Sequence, residues 1–150
     1  MQGFEPGTLT FWRLGIVREP LRMIELNRPD TFAILDRDAA PAPQPATSPL
    51  GEGRFVGELV DTKCYSGVMR PATGKVHRAC AIRCLRGGVP PGLLVHDRKG
   101  DGVVFLLAGP SDEPLRYDVQ LAGTLIEVTG TLELNGETPV LRVKSLRPSR

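Results

Sequence analysis

Two apolar segments on either side of Asn135-Gly136 restrict the fold more than any other feature of this chain. Residues 124–134 alternate apolar and polar side chains, the pattern of a strand with one buried face. Residues 140–146 are a second apolar segment. Asn-Gly between two such segments is typical of a hairpin turn, because both residues tolerate positive φ. Pro139 has no backbone N–H, so we expect pairing to start after it and the loop to exceed two residues.

Three further segments have the composition of strands. Residues 53–62 carry apolar side chains on both faces, as a central strand does. Residues 92–96 and 102–108 flank a glycine-rich turn and predict a second hairpin. The chain has 17 glycines, 14 prolines and 5% aromatic residues, which favours short strands and many turns. The predicted fold class is mainly β: a small, partly open antiparallel barrel with one short helix at about 75–86.

The closing stretch LIEVTGTLELNGETPVLRVKSLRP resembles the last hairpin of oligonucleotide/oligosaccharide-binding (OB) barrels, with a V-x-G strand, a turn and an L-x-V strand. The resemblance implies an OB-like barrel. Single-stranded nucleic acids bind such barrels through aromatic platforms along a basic groove. The main part of the chain offers few aromatic residues for this purpose: Phe55, Tyr65, Phe105 and Tyr117. Nucleic-acid binding is therefore not expected.

The chain divides into three parts by composition. Residues 1–38 contain apolar residues interrupted by Pro20, and we interpret them as an extended N-terminal arm or a small β subdomain. Residues 39–50 contain four prolines and are typical of an extended linker. Residues 51–150 are predicted to form the OB-like domain that carries the cysteines. We expect the arm to bind a protein partner. Because its arginines are interleaved with apolar residues, peripheral contact with a membrane is the alternative.

The first residues lack the basic start, the apolar stretch and the small-residue cleavage site of a secretory signal peptide. No stretch reaches the roughly 18 apolar residues of a transmembrane helix. The predicted location is therefore the cytoplasm, with peripheral association with a membrane complex as the alternative. Thiols stay reduced in the cytoplasm, where clustered cysteines more often bind metal or react than form disulfides.

All three cysteines and one of the two histidines lie in one short segment: Cys64, His77, Cys80 and Cys84. Thr73 and Gly87 are suited to begin and end a helix over about 75–86. At 100° per residue, His77, Cys80 and Cys84 share one face of that helix, and its Lys and Arg side chains lie mainly on the other. Cys64 follows the preceding strand and completes the set.

Four interpretations of this cluster stay open. The four side chains are ligands that zinc accepts tetrahedrally, although the spacing C-x12-H-x2-C-x3-C matches no common zinc finger, and an iron or copper centre is the variant. A disulfide between Cys64 and a helical cysteine would make it a redox site. A cysteine with His77 as base would make it a nucleophile. The fourth interpretation is that the thiols are small apolar side chains in the core.

Asp61 lies beside the cluster and has two interpretations. It orients His77 through a hydrogen bond, as metal-bound imidazoles require, or it is an exposed charge at the end of a strand. The surrounding segments GELVDTKC, HRACAIRC and GGVPP resemble a pattern found in uncharacterised bacterial proteins, GE(I/L)VD(S/T)KC, then HRxCAxxC, then GG(I/V)PP. This resemblance implies that the three segments form one unit, and it implies no particular reaction.

The sequence contains no phosphate-binding or dinucleotide-binding glycine motif, and no acid–base pair with an activated nucleophile is discernible in it. The prediction therefore leans against an enzyme. We expect a non-catalytic accessory subunit of a larger assembly, a membrane-associated redox complex being one candidate. Its protein partner would bind the N-terminal arm and the Pro-rich linker, and the Cys/His site would stabilise the fold. The alternative is a metal-binding or thiol-based redox protein.

Overall fold

The computed structural model describes residues 45–67, 69–111 and 113–149. Five strands lie within them: β1 (Thr47–Asp61), β2 (Pro91–His96), β3 (Gly102–Ala108), β4 (Leu125–Asn135) and β5 (Thr138–Pro148). Two helices, α1 (Thr62–Ser66) and α2 (Gly74–Arg86), separate β1 from β2, and a 3-10 turn at Val119–Leu121 precedes β4. The fold class is mainly β, as predicted, and α2 confirms the helix expected at about 75–86.

The strands form a closed barrel in the order β1-β2-β3-β5-β4, with β4 returning to β1. The pairs are antiparallel except for β3 and β5, which are parallel. The barrel is thus closed and contains both parallel and antiparallel pairs, whereas the sequence predicted a partly open antiparallel barrel. The length of β1 explains the closure, because residues 47–58 pair with β4 and residues 58–61 pair with β2. This architecture is compatible with an OB-like fold.

Side chains on the inward strand faces form one apolar core. Phe55 of β1 and Phe105 of β3 meet edge to face, with ring centroids 5.5 Å apart. The alternation predicted for residues 124–134 is confirmed, since Ile126, Val128 and Leu132 of β4 are buried in this core. Gly57 lies where β1 passes closest to β2. A Cβ at this position would lie 2.3 Å from Leu94 O, so only glycine permits the approach.

The loop between β4 and β5 is shorter than predicted. Asn135 pairs with Thr138 and Leu134 pairs with Pro139, so only Gly136 and Glu137 form the turn, and Gly136 has a φ of +62°. The prediction of a longer loop was wrong because Pro139 lies outside the part of β5 that pairs with β3. That pairing begins at Val140, so the missing N–H of Pro139 removes no bond to β3.

The N-terminal boundary of the barrel differs from the predicted one. β1 begins at Thr47, so the last four residues of the segment 39–50, assigned to the linker, belong to a strand. Pro49 is tolerated there because it lies near the end of β1, next to a register shift between Pro49 and Gly51. The arm, 1–38, and the rest of the linker up to residue 44 lie outside the described residues. Across the described ranges, no helix has the length and apolar content that crossing a membrane requires.

Candidate metal centre

The centre is built on the connection from β1 to β2, which contains both helices. Asp61, the last residue of β1, begins α1 as its N-cap, and its Oδ1 accepts a hydrogen bond from Cys64 N at 2.8 Å. Thr62 fastens the other end of the connection, since its Oγ1 donates to Pro90 O at 2.8 Å. Cys64 is therefore fixed in position relative to the barrel by its own backbone.

α2 is held against the barrel at its N-terminus and along one face. Thr73 makes no side-chain cap, and Gly74 N instead donates to Glu58 Oε1 of β1 at 2.5 Å. Ala81 and Leu85 pack with Ala122 in a small apolar cluster. These contacts set the rotation of α2, so that His77, Cys80 and Cys84 lie on or beside its buried face.

The three cysteine sulfurs meet at one point between α1 and α2. Cys64 Sγ lies 3.9 Å from Cys80 Sγ and 3.9 Å from Cys84 Sγ. The three sulfur atoms all lie within 4.8 Å of one another. All three residues are free cysteines, since a disulfide would need a separation of about 2.05 Å.

The sulfur–sulfur distances from Cys64 match those expected around a bound thiophilic cation such as zinc. With zinc–sulfur bonds of about 2.3 Å, two sulfurs of a tetrahedral site lie about 3.8 Å apart. Both measured distances from Cys64 are within about 0.1 Å of that edge. Two edges of the sulfur triangle therefore have the length that a tetrahedral zinc site needs, and the third, between Cys80 and Cys84, is within 4.8 Å.

His77 joins the centre from a different side. Its Nε2 lies 2.9 Å from Asp61 Oδ2, and both side chains are buried, with exposed fractions of 6% and 0%. His77, Asp61 and Cys64 form a second set whose ligand atoms lie within 4.8 Å of one another. The two sets share Cys64. The four predicted residues are thus brought together, with His77 grouped with Asp61 rather than with Cys80 and Cys84.

Asp61 is the residue of the centre whose role sequence reasoning described only in part. The interpretation as a carboxylate bonded to His77 is confirmed, and the interpretation as an exposed charge at a strand end is wrong. Its second role, as the cap of α1, was not predicted, and neither was α1 itself. The available signal was an Asp at the end of an apolar strand followed by three helix-compatible residues.

Burial and nearby charge keep the thiols of Cys64 and Cys84 protonated in the metal-free protein. Burial raises the pKa of Cys64, and the neighbouring Asp61 carboxylate raises it further by accepting a hydrogen bond and by charge repulsion. Burial also raises the pKa of Cys84. A nucleophilic cysteine needs the opposite change. The raised pKa values therefore argue against the cysteine nucleophile, and a cation that binds these sulfurs must displace the thiol protons.

The segment around the centre is strongly basic. Residues 62–90 contain six of the nineteen Lys and Arg residues and none of the seventeen Asp and Glu residues. Lys75, Arg83 and Arg86 of α2 are exposed, and among the described residues no carboxylate pairs with them. By contrast, on the barrel wall Arg142 pairs with Glu133, and Lys144 with Glu52. Net positive charge is thus concentrated beside the thiol cluster.

A groove of about 420 Å³ lies on the barrel wall away from the helices. It is lined by residues of β4, β5 and the segment after β3: Pro110, Ser111, Thr131, Glu133, Arg142 and Lys144. Arg142 within it already bonds to Glu133 and to Ser111 O. Lys144 bonds to Glu52, so both basic side chains of the groove are already paired.

Comparison of the chain with protein-family models, with curated proteins and with solved structures finds no match. The chemistry of the centre thus rests on its own geometry.

Proposed function

We propose that this chain is a non-catalytic accessory subunit whose α1–α2 segment binds one zinc ion through Cys64, Cys80 and Cys84. The observation that supports metal binding is the pair of 3.9 Å distances from Cys64 Sγ to Cys80 Sγ and to Cys84 Sγ. The proposal keeps Asp61 and His77 as the pair that positions this cluster. Under this proposal, the segments GELVDTKC, HRACAIRC and GGVPP form a metal-binding unit that the similar bacterial proteins share.

The position of the centre supports a structural role for the metal. α2 has only 13 residues, and isolated helices of that length are marginal in water. A metal bound to Cys64 of α1 and to two cysteines of α2 would link the two helices directly. The basic surface beside it, with Lys75, Arg83 and Arg86 exposed, supports attachment to an acidic partner in addition to the arm and linker.

The test is the metal content of the untagged full chain, freshly purified without chelator. We expect about one zinc per chain in the wild type and a loss of at least about 100-fold in affinity in Cys64→Ser and in Cys80→Ser. Met69→Leu is the matched control, because it removes an exposed sulfur outside the cluster and should leave the metal content unchanged.

The accessory role has its own measurement. The native protein should elute from its source cells at a mass above that of the single chain, and high salt should release it if the basic surface contributes. An isolated chain that turns over a substrate and loses this activity in His77→Ala would contradict the role.

The second candidate is a redox centre. The same 3.9 Å separations place Cys64 close enough to Cys80 or Cys84 for a disulfide after a small movement. Stoichiometric iron or copper, or a metal-free chain with a Cys64 disulfide shown by mass spectrometry, would favour this candidate over structural zinc.

A further inference from the structure

We infer that the metal takes its fourth ligand from outside this chain and that this ligand is a thiolate. The inference rests on the proposed metal site. It names the class of molecule that would complete it: a small-molecule thiol or a cysteine of a partner protein. The incoming thiol would give its proton to the solvent as its sulfur binds, and no atom would change its oxidation state.

Within the part of the chain that the structure describes, no fourth ligand residue is grouped with all three sulfurs. All three cysteines are already in the cluster. The other histidine, His96, ends β2, whereas Pro91 at the opposite end of β2 pairs with Asp61. His96 therefore lies a full strand length from the centre. Among the residues that the structure describes, only Asp61 and His77 remain as nearby donors.

Asp61 and His77 already bond to each other and to the backbone. Asp61 Oδ1 accepts from Cys64 N, and Asp61 Oδ2 bonds to His77 Nε2. Both residues are buried, so breaking this pair would leave two polar groups without partners away from water. The fourth corner of the tetrahedron lies about 3.8 Å from each sulfur. Asp61 and His77 share a set with Cys64 but not with all three sulfurs, so neither occupies that corner.

The cluster is reachable from the surface through α2. Cys64 is buried with 8% of its surface exposed, but Cys80 and Cys84 are only half-buried. Val76, one helical turn before Cys80, is exposed. The open side of the cluster thus faces solvent along α2.

The surrounding charge selects an anion. Zinc bound to three thiolates carries a net charge of about −1, and a fourth thiolate makes it about −2. The six Lys and Arg residues of 62–90 outnumber the adjacent carboxylates of Glu58 and Asp61 and offset this charge. Tetrahedral zinc with four thiolates is also a stable closed site, which a water or a weak oxygen ligand does not make.

Cobalt(II) is the probe, because it takes the same tetrahedral thiolate sites and has an absorption spectrum. The full chain is reduced with a phosphine instead of a thiol, loaded with Co²⁺ and titrated with 2-mercaptoethanol. We expect the thiolate-to-cobalt absorption to rise by about one third, because the number of sulfur ligands rises from three to four. His96→Gln should show the same spectrum and the same rise as the wild type, because His96 is exposed and lies a strand length from the centre.

The variants are chosen so that misfolding does not imitate the result. The glutamine amide in His77→Gln can still donate to Asp61 while the imidazole is removed. His96→Gln is the matched control at the other histidine, which is exposed. A spectrum that does not respond to the added thiol would overturn the inference. If the spectrum also changes in His77→Gln but not in His96→Gln, His77 is the fourth ligand. If Co²⁺ does not bind at all, the proposed function fails as well, so the two failures are distinguishable.

Two further titrations distinguish the sources of the thiol. Glutathione represents a free thiol, and a short peptide with one cysteine between glutamates represents a partner protein. Binding of the peptide at least about 10-fold tighter than glutathione, weakened by salt and by Arg83→Glu, would assign the ligand to an acidic partner. Equal affinities that do not change in Arg83→Glu would assign it to a free thiol.

Discussion

Asp61 Oδ2 lies 2.9 Å from His77 Nε2, and the other oxygen of the same carboxylate accepts a hydrogen bond from Cys64 N. One fully buried side chain at the end of β1 therefore holds both helices of the thiol cluster. The barrel wall determines where Asp61 lies, since Asp61 pairs with Pro91 of β2. Asp61 is thus the link between the rigid barrel and the orientation of the candidate ligands.

Asp61→Asn should destabilise the protein even though it is nearly isosteric. The amide can keep the bond from Cys64 N, but its NH₂ group faces His77 Nε2, which can accept it only after a change of tautomer. We expect the free energy of unfolding to fall by about 2–4 kcal/mol, as measured by urea denaturation. Asp118→Asn is the control, because Asp118 caps an exposed turn where asparagine caps equally well. Equal losses in the two variants would contradict the role assigned to Asp61.

The contribution of Asp61 to stability should depend on pH. Burial alone raises the pKa of its carboxyl group, but hydrogen bonds from Cys64 N and His77 outweigh burial and leave the pKa below its ordinary value. The unfolded chain therefore binds the proton more tightly than the native protein does. The stabilisation is complete above the unfolded-state pKa of about 3.9 and is lost as the pH falls through the lower native pKa.

The measurement is the difference in unfolding free energy between the metal-free wild type and Asp61→Asn at two pH values. This difference should be larger at about pH 5 than at about pH 3. A difference that stays the same or grows at the lower pH would show that the Asp61 carboxylate is not stabilised in the folded protein.

Local patterns were enough to predict α2 and the β4–β5 hairpin. In both cases neighbouring residues carry the signal: glycine after the last turn of α2, a 3.6-residue spacing of His77, Cys80 and Cys84, and Asn135-Gly136 between alternating segments. The clustering of the cysteines likewise indicated where the candidate centre lies before any fold was known.

Features that depend on distant pairing could not be predicted in the same way. Closure of the barrel requires β1 to change partner from β4 to β2 near Glu58, which no local pattern reveals. The burial of Asp61 depends on this pairing, because a carboxylate after a strand is ordinarily exposed. The direction of His77 Nε2 toward Asp61 then follows from the position of Asp61, not from the helical spacing of His77.

Removing the metal should loosen the helices and leave the barrel folded. The main core contains none of the cysteines, and the buried apolar residues of α2, Ala81 and Leu85, belong to a separate small cluster. After chelation, we expect amide hydrogen exchange to rise by at least about 10-fold in residues 62–86 and to remain slow in β4. Cys84→Ser without chelator should show the same pattern. Fast exchange in β4 after chelation would mean that the site stabilises the whole barrel.

Metal binding should release protons at neutral pH. The pKa values of Cys64 and Cys84 are raised, chiefly by burial, so both thiols of the metal-free protein carry their protons. Both must lose them to bind zinc, so at least about two protons leave per metal and the apparent affinity rises at least about 100-fold per pH unit. Calorimetric titration with zinc in two buffers of different ionisation enthalpy counts these protons. Cys64→Ser should bind weakly and release fewer. Release of less than one proton by the wild type would show that the thiols are already ionised or that they are not the ligands.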